Sequence, residues 1–221
     1  AGSSAPAAGQ TSSRNRHGRG AEAAPTPAPG DWLKRWQDAG RAASAAIDRV
    51  LAEAPFPNEP AVARLLAEAL PAGSLLLVAS SMPVRDVDAF LPTRRAPLRI
   101  TGNRGASGID GFLSTGLGAA AVAGCPTYLL AGDLSTLHDL TALGTAARLG
   151  IPATIVVLHN DGGGIFHFLP QADLPEHFER HWGTPHGLDF VRLAGAFGVE
   201  AVRAESARDL AALLARRAAA P

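Results

Sequence analysis

The chain has 221 residues, 47% of them hydrophobic and 18% charged, with Lys+Arg and Asp+Glu both at 20. That is apolar material for one good-sized core and an appendage. The zero net charge lacks the basic excess that favours nucleic acid or anionic membranes, no apolar run approaches the roughly 20 residues of a membrane helix, and the single Cys125 excludes an internal disulfide and fits a reducing, cytoplasmic setting.

Residues 1–30 are rich in Ala, Gly, Ser and Pro with scattered Arg, a composition that cannot offset its ordering entropy and predicts a disordered tail. No apolar stretch follows its basic residues, so it does not read as a secretory signal. The chain opens on Ala1 rather than Met, which raises the expectation of a fragment. Asp31 is a plausible N-cap for a helix running through Leu51 and ending before Pro55. Asn58 caps a second helix with Pro60 in its first turn, stopping at Pro71-Ala72-Gly73.

The pattern then alternates. Leu75–Ala79 is a short continuous apolar run, as in a strand covered on both faces. Helix over 83–90, strand over 98–101, helix over 115–123, strand over 127–131, helix over 137–149 ending at Gly150, and strand over 153–158 follow in order. A helix over 189–197, a last strand over 199–202 and a closing helix capped by Ser206 complete the chain. Alternation of this kind means an α/β fold, a doubly wound parallel sheet with covered faces. Residues 31–70 read as a helical piece ahead of a sheet domain over 71–221.

Asp133 and Asn160 each end a strand-like run and lie 27 positions apart, the spacing of a strand-helix-strand crossover. The crossover brings both to the C-terminal edge of the sheet, where open α/β sheets bind ligands. A carboxylate and an amide oxygen there suit Mg²⁺, which takes oxygen ligands in near-octahedral geometry and is held by few protein groups plus phosphates. Gly162-Gly163-Gly164 lets main chain approach a diphosphate closely, with the Gly162 carbonyl available to the metal. Alone, Asp133 also reads as an N-cap and Asn160-Asp161-Gly162 as an ordinary turn; the spacing favours the joint reading.

Gly102-Asn103-Arg104-Gly105-Ala106-Ser107-Gly108-Ile109-Asp110-Gly111 matches neither a dinucleotide fingerprint nor a Walker loop. It reads either as a surface loop or as an anion receptor built on one cation. Ser80-Ser81-Met82-Pro83-Val84-Arg85 lies just past another strand. Arg85 and Arg104 at one sheet edge suit a substrate with several carboxylates, or they pair with Asp86 and Asp110. His177 and His181 lack a zinc pattern and read as a solvated face. Cys125 reads as structural.

These motifs, with Gly132-Asp133-Leu134-Ser135, Asn160-Asp161-Gly162-Gly163-Gly164-Ile165-Phe166 and Gly183-Thr184-Pro185-His186, resemble the pyrophosphate-binding domain of thiamine-diphosphate enzymes. Among these the chain is most similar to the MenD family, the 2-succinyl-5-enolpyruvyl-6-hydroxy-3-cyclohexene-1-carboxylate synthases, over residues 31–221. The resemblance implies thiamine diphosphate and Mg²⁺, or Mn²⁺ in its place, with Asp133, Asn160 and the Gly162 carbonyl as metal ligands. It implies Leu134, Ser135 and Gly163 along the diphosphate, and Ile109 as the wedge that bends the cofactor. Ser81, Arg85 and Arg104 would meet substrate carboxylates, with Ile165, Phe166 and Leu169 closing the pocket. The implied reaction is a transferase step of menaquinone biosynthesis, joining decarboxylated 2-oxoglutarate to isochorismate in a homodimer.

The family also has an N-terminal domain whose glutamate activates the cofactor's aminopyrimidine. No glutamate of this chain reads as its equivalent: Glu53, Glu59 and Glu68 fall in the early helices, Glu176 and Glu179 in a polar stretch. The expectation is weak cofactor affinity and negligible turnover without a pyrimidine-binding partner domain on the same or another chain. His159 stands where the family often has Asn. Another thiamine enzyme, of acetohydroxyacid synthase or 2-oxoacid decarboxylase type, and a non-catalytic phosphate-binding remnant are the alternatives.

Overall fold

A computed structural model describes residues 30–103 and 108–219. The expected disordered tail and Arg104 lie outside the described residues. The chain divides into two compact units at Arg41, within the long helix α1 (Trp32–Glu53). In the first unit, Asp38 pairs with both Lys34 and Arg41 on the surface of α1. The unit that begins at Ala42 carries the sheet.

Four strands, β1 (Leu75–Val78), β2 (Arg99–Thr101), β3 (Thr127–Gly132) and β4 (Thr154–Leu158), form one parallel sheet in the order β2-β1-β3-β4. Leu77 lies opposite Leu129, and Gly132 opposite Leu158, so the strands end nearly level. Strand side chains alternate between faces, and here both faces are apolar. Leu76, Val78, Tyr128 and Leu130 pack under α2 (Glu59–Ala69), α3 (Met82–Phe90) and α9 (Ala207–Ala219) through Val62, Leu66, Val87, Leu210 and Leu214. Leu77, Leu129 and Ala131 pack on the other side against α4 (Phe112–Val122), α6 (Ala142–Leu149) and α8 (Phe190–Ala196) through Phe112, Leu113, Leu117, Leu143 and Ala194. Continuous apolar strands with helices on both sides are the doubly wound parallel architecture.

The caps are local chemistry. Asn58 Oδ1 accepts from the Ala61 N–H at 2.8 Å, starting α2, and Asp189 Oδ1 accepts from Val191 and Arg192 at 2.9 and 3.2 Å, starting α8. Ser206 Oγ accepts from the Asp209 N–H at 3.1 Å at the head of α9.

Several expected boundaries shift. The helix anticipated over 137–149 is two helices, α5 (Asp133–His138) and α6, broken at 139–141. Helix α4 starts at Phe112 rather than Thr115. No strand forms over 199–202. There the Val199 N–H bonds the Ala194 carbonyl at 3.0 Å, closing α8, and Val199 and Ala201 pack partly buried against the α4/α6 side. Their alternation records burial without a ladder partner. Helix α2, read as part of a preceding element, contributes Val62, Leu66 and the adjoining Leu70 to the sheet's own core, so the apolar contacts continue across residue 70.

Gly116 is where α4 comes closest to the sheet: a Cβ there would enter the side chain of fully buried Leu129. Gly116→Val is expected to destabilise the fold by about 1–3 kcal/mol through overpacking, read as a lower urea midpoint with an unchanged slope.

Candidate functional site

Strand β1 lies between β2 and β3, so the chain leaves β1 to one side and later returns to the other. That reversal opens a crevice beyond the carboxyl ends of β1 and β3, the position at which doubly wound sheets bind ligands. The loops that follow all four strands converge on it around a cavity of about 170 Å³. After β1 come Ser81, Met82 and Pro83; after β2, Ile109; after β3, Asp133, Leu134 and Ser135. The loop after β4 adds Asn160, Gly162, Gly163, Gly164, Ile165 and Phe166, and Glu59 enters from the first turn of α2.

Asp133 opens α5 and is 2% exposed. Its Oδ1 accepts from the Leu134 N–H at 2.7 Å and its Oδ2 from the Gly162 N–H at 3.0 Å. Two imidazoles crowd the same Oδ2, His159 Nδ1 at 3.2 Å and His186 Nε2 at 3.3 Å. His159 Nε2 faces the Leu188 carbonyl at 3.0 Å, while Nδ1 faces the Asp161 N–H at 3.1 Å. Nδ1 thus stands between the Asp133 carboxylate and the Asp161 N–H. His186 Nδ1 accepts from the Leu188 N–H at 3.1 Å, and its buried Nε2 makes no hydrogen bond. Phe190 sets its ring edge against both histidines, with centroids 5.0 and 5.9 Å away.

The turn after β4 is held from outside. Asp161, at φ 65°, accepts the Gly187 N–H at 2.7 Å and the His186 N–H at 3.2 Å. The Gly187 bond foremost holds its carboxyl below the usual range. Gly162 sits at φ 139°, where only glycine is comfortable, and a Cβ there would run into the Gly183 carbonyl. Gly163 donates its N–H to that same carbonyl at 2.7 Å. The Gly183-to-His186 stretch thus braces the glycine turn at the cavity wall.

Of the residues singled out in the sequence, Ser81, Ile109, Asp133, Leu134, Ser135, Asn160, Gly162, Gly163, Ile165 and Phe166 surround the one cavity. Ser81 carries a φ of 75° at the head of α3 without a side-chain cap bond, a strained non-glycine backbone of the kind that gathers at binding sites. Arg85 does not face the cavity. It is exposed, and its Nη1 donates to the Ser81 carbonyl at 2.7 Å, one helical turn back, in place of an ion pair with Asp86. Asp110 pairs with His138 at 3.0 Å. Leu169 is 40% exposed and stands outside the lining. His177 and His181 are exposed, with ring centroids 6.2 Å apart.

The sequence reading passed over four residues. His159, treated as a neutral replacement, and His186, quoted within a motif but given no role, both touch Asp133. Glu59, set aside with the early helices, lines the cavity and accepts from Asn160 Nδ2 at 3.0 Å. Asp86 lies behind Glu59 at 1% exposure. Burial first, then the hydrogen bond and charge of Glu59, push its carboxyl up to about 7. The signal for Glu59 was its place directly after the Asn58 cap, in a first turn aimed at the sheet's carboxyl edge.

A buried carboxylate and an amide flanking a glycine turn at the switch point of a parallel sheet define a cofactor-binding domain for a phosphorylated ligand. The family model for the C-terminal TPP binding domain of thiamine pyrophosphate enzymes matches residues 85–220, and the chain belongs to that family. Thiamine diphosphate is accordingly its cofactor class.

Within the family its sequence is of the MenD type. It is 47% identical over 180 residues to the 2-succinyl-5-enolpyruvyl-6-hydroxy-3-cyclohexene-1-carboxylate synthase of Myxococcus xanthus, covering 80% of this chain and 31% of that protein. The synthases of Rubrobacter xylanophilus and Saccharopolyspora erythraea are 49% and 46% identical, covering 78% and 88% of this chain and 29% and 35% of theirs. The chain thus spans about a third of the length of these relatives. Among solved structures, a thiamine diphosphate-dependent 4-hydroxybenzoylformate decarboxylase of Rhodococcus jostii RHA1 shares the fold with a TM-score of 0.56 at 25% identity, over 74% of this chain and 30% of that one. Benzoylformate decarboxylase from Polynucleobacter necessarius follows at 0.54 and 21%, over 74% and 31%. No helix among the described residues is long and apolar enough to cross a membrane.

Because the Asp86 carboxyl is raised from 3.8 to about 7 in the fold, the unfolded chain binds fewer protons between those values. Its contribution to stability is full below about 3.8 and is lost as pH rises through about 7. Asp86→Asn, which keeps a donor toward Glu59 and cannot ionise, is expected to gain stability relative to wild type between pH 5 and pH 8. Denaturation midpoints at the two pH values measure this, and a constant difference between the proteins would contradict it.

Proposed function

We propose that this chain holds the diphosphate end of thiamine diphosphate, through Mg²⁺, in a MenD-type synthase that joins decarboxylated 2-oxoglutarate to isochorismate. The observation that carries the reading is that buried Asp133 and exposed Asn160 border one cavity, with the glycine turn after Asn160 bonded to Asp133 through the Gly162 N–H. The donor set fits the ion: a carboxylate, an amide oxygen and a carbonyl are hard oxygen ligands, and Mg²⁺ needs few of them once phosphate oxygens are present. Mn²⁺ suits the same set. The glycine turn fits the diphosphate, since side chains at Gly162 and Gly163 would collide with the 182–184 backbone and push the turn out of place.

When bound, the cofactor's thiazolium supplies the carbanion chemistry, and the protein supplies orientation and electrostatics. Asp133 Oδ2 is anchored by the Gly162 N–H and crowded by both imidazoles, so the carboxylate enters the site pre-oriented. Leu134 and Ser135 would hold the diphosphate, Ile109 would support the bend of the cofactor, and Ile165 and Phe166 would keep water from it. Ser81, Arg85 and Arg104 take the substrate carboxylates; for Arg85 this requires release from the Ser81 carbonyl, an exchange of a neutral acceptor for a charged one.

The cavity of about 170 Å³ is smaller than the roughly 300–1,000 Å³ of sites that enclose a whole small molecule. That supports a second wall, a pyrimidine-binding domain on the same or another chain, in a cytoplasmic homodimeric enzyme of menaquinone biosynthesis. Sequence identities of 46–49% to synthases, against 25% to a decarboxylase, favour the synthase reading over other thiamine enzymes.

Titration calorimetry with thiamine diphosphate, with and without Mg²⁺, tests the cofactor part. Binding is expected to require Mg²⁺, and Asp133→Ala is expected to abolish the Mg²⁺-dependent binding; an unchanged Asp133→Ala titration would sink the metal assignment. In the assembled synthase, Arg85→Ala is expected to raise a substrate KM by about 10- to 100-fold, the value of one charge-assisted bond. Unaltered 2-oxoglutarate consumption would remove Arg85 from the substrate site.

A further inference from the structure

Asn160 is an ambiguous ligand on its own. An amide presents an oxygen on one side and two N–H donors on the other, and a half-turn about its last bond would aim donors at a cation. Something must hold it one way round. The structure supplies two constraints on that amide, one from 101 positions earlier in the chain and one from its own turn.

The first is Glu59. Its Oε1 lies 3.0 Å from Asn160 Nδ2 across 101 positions of sequence. Nδ2 donates and Oε1 accepts, so the amide turns its NH₂ toward Glu59 and its Oδ1 away. The second is Gly164. A Cβ at that position would stand 3.0 Å from Asn160 Cγ and still closer to Nδ2. The bare backbone of Gly164 is the flat surface against which the amide rests.

Glu59 is itself held. It is at N1 of α2, directly after the Asn58 cap, and it stands beside Asp86 of α3, which is 1% exposed and whose Oδ2 has no hydrogen-bond partner. Helices α2 and α3 pack on the same side of the sheet through Val62, Leu66 and Val87. The pair is thus fixed by the core and not by a loop.

Resting on the metal reading above, we propose that Glu59, backed by Asp86, is a positioning residue for Asn160, whose amide it locks with Oδ1 facing the cation. Glu59 acts through Asn160 and does not itself meet the ion. Outer-shell partners of this kind are worth roughly 10- to 100-fold in metal affinity.

The test is the Mg²⁺ concentration that half-saturates thiamine diphosphate binding to the chain, read by calorimetry. Glu59→Ala is expected to raise it about 10-fold or more, with cofactor affinity recovering at high Mg²⁺. Glu59→Gln, whose amide oxygen still accepts from Asn160, is expected to stay within about threefold of wild type, a rescue that a role in bulk charge would not produce. Gly164→Ala leaves Glu59 in place but crowds the amide, and it should raise the Mg²⁺ requirement even if Glu59→Ala fails to fold. The inference is overturned if Glu59→Ala or Gly164→Ala keeps the wild-type Mg²⁺ requirement, or if Glu59→Gln loses as much as Glu59→Ala. Asp133→Ala separates the two levels: if it too binds normally, the metal reading has failed, whereas loss there with wild-type behaviour in Glu59→Ala removes only the positioning role.

Discussion

The site depends on one hydrogen bond, from the Gly162 N–H to Asp133 Oδ2. It ties the loop after β3 to the loop after β4 at the rim of the sheet, and it does so inside the protein, where Asp133 has almost no contact with water. A buried carboxylate is costly unless it is paired and hydrogen-bonded. Asp133 meets that condition through two backbone N–H groups, with the imidazoles of His159 and His186 drawn up to the same oxygen.

Around that bond the polar groups fall into two layers. One carries Asp133 and is closed by the 183–188 segment, through Asp161, His186 and Leu188. The other carries Asn160 and is closed by α2 and α3, through Glu59 and Asp86. Each candidate ligand therefore has its own support, and the two supports come from different parts of the fold. A site whose ligands are locked by a supporting shell loses less freedom when the ligand arrives, which is the physical content of preorganisation.

Much of this was legible in the linear chain. The apolar runs at 75–79, 127–131 and 153–158 were short enough to be strands and continuous enough to be covered on both faces, as they are. Asn58, Asp189 and Ser206 announced their helices through side chains that bond the first free N–H groups. Where the reading slipped, a tertiary term had overridden a local one. Val199 to Val202 has strand-like residues, but the Val199 N–H goes to the Ala194 carbonyl and closes α8. The helix expected over 137–149 breaks at 139–141, where the Asp139 carboxylate leaves its own helix to accept from the Ser114 N–H and hydroxyl on α4.

The order of residues alone determined the fold class and the rim on which Asp133, Asn160 and the glycine turn gather, because hydrophobic period, capping and crossover length act over a few residues to a few tens. What only the tertiary structure decided is which remote groups stand behind them: Glu59 beside Asn160, Asp86 behind Glu59, and His186 against Asp133. It also decided that Arg85 rests on the Ser81 carbonyl instead of on an acid. Those contacts depend on which helix covers which end of the sheet, and no local propensity carries that information across 101 residues.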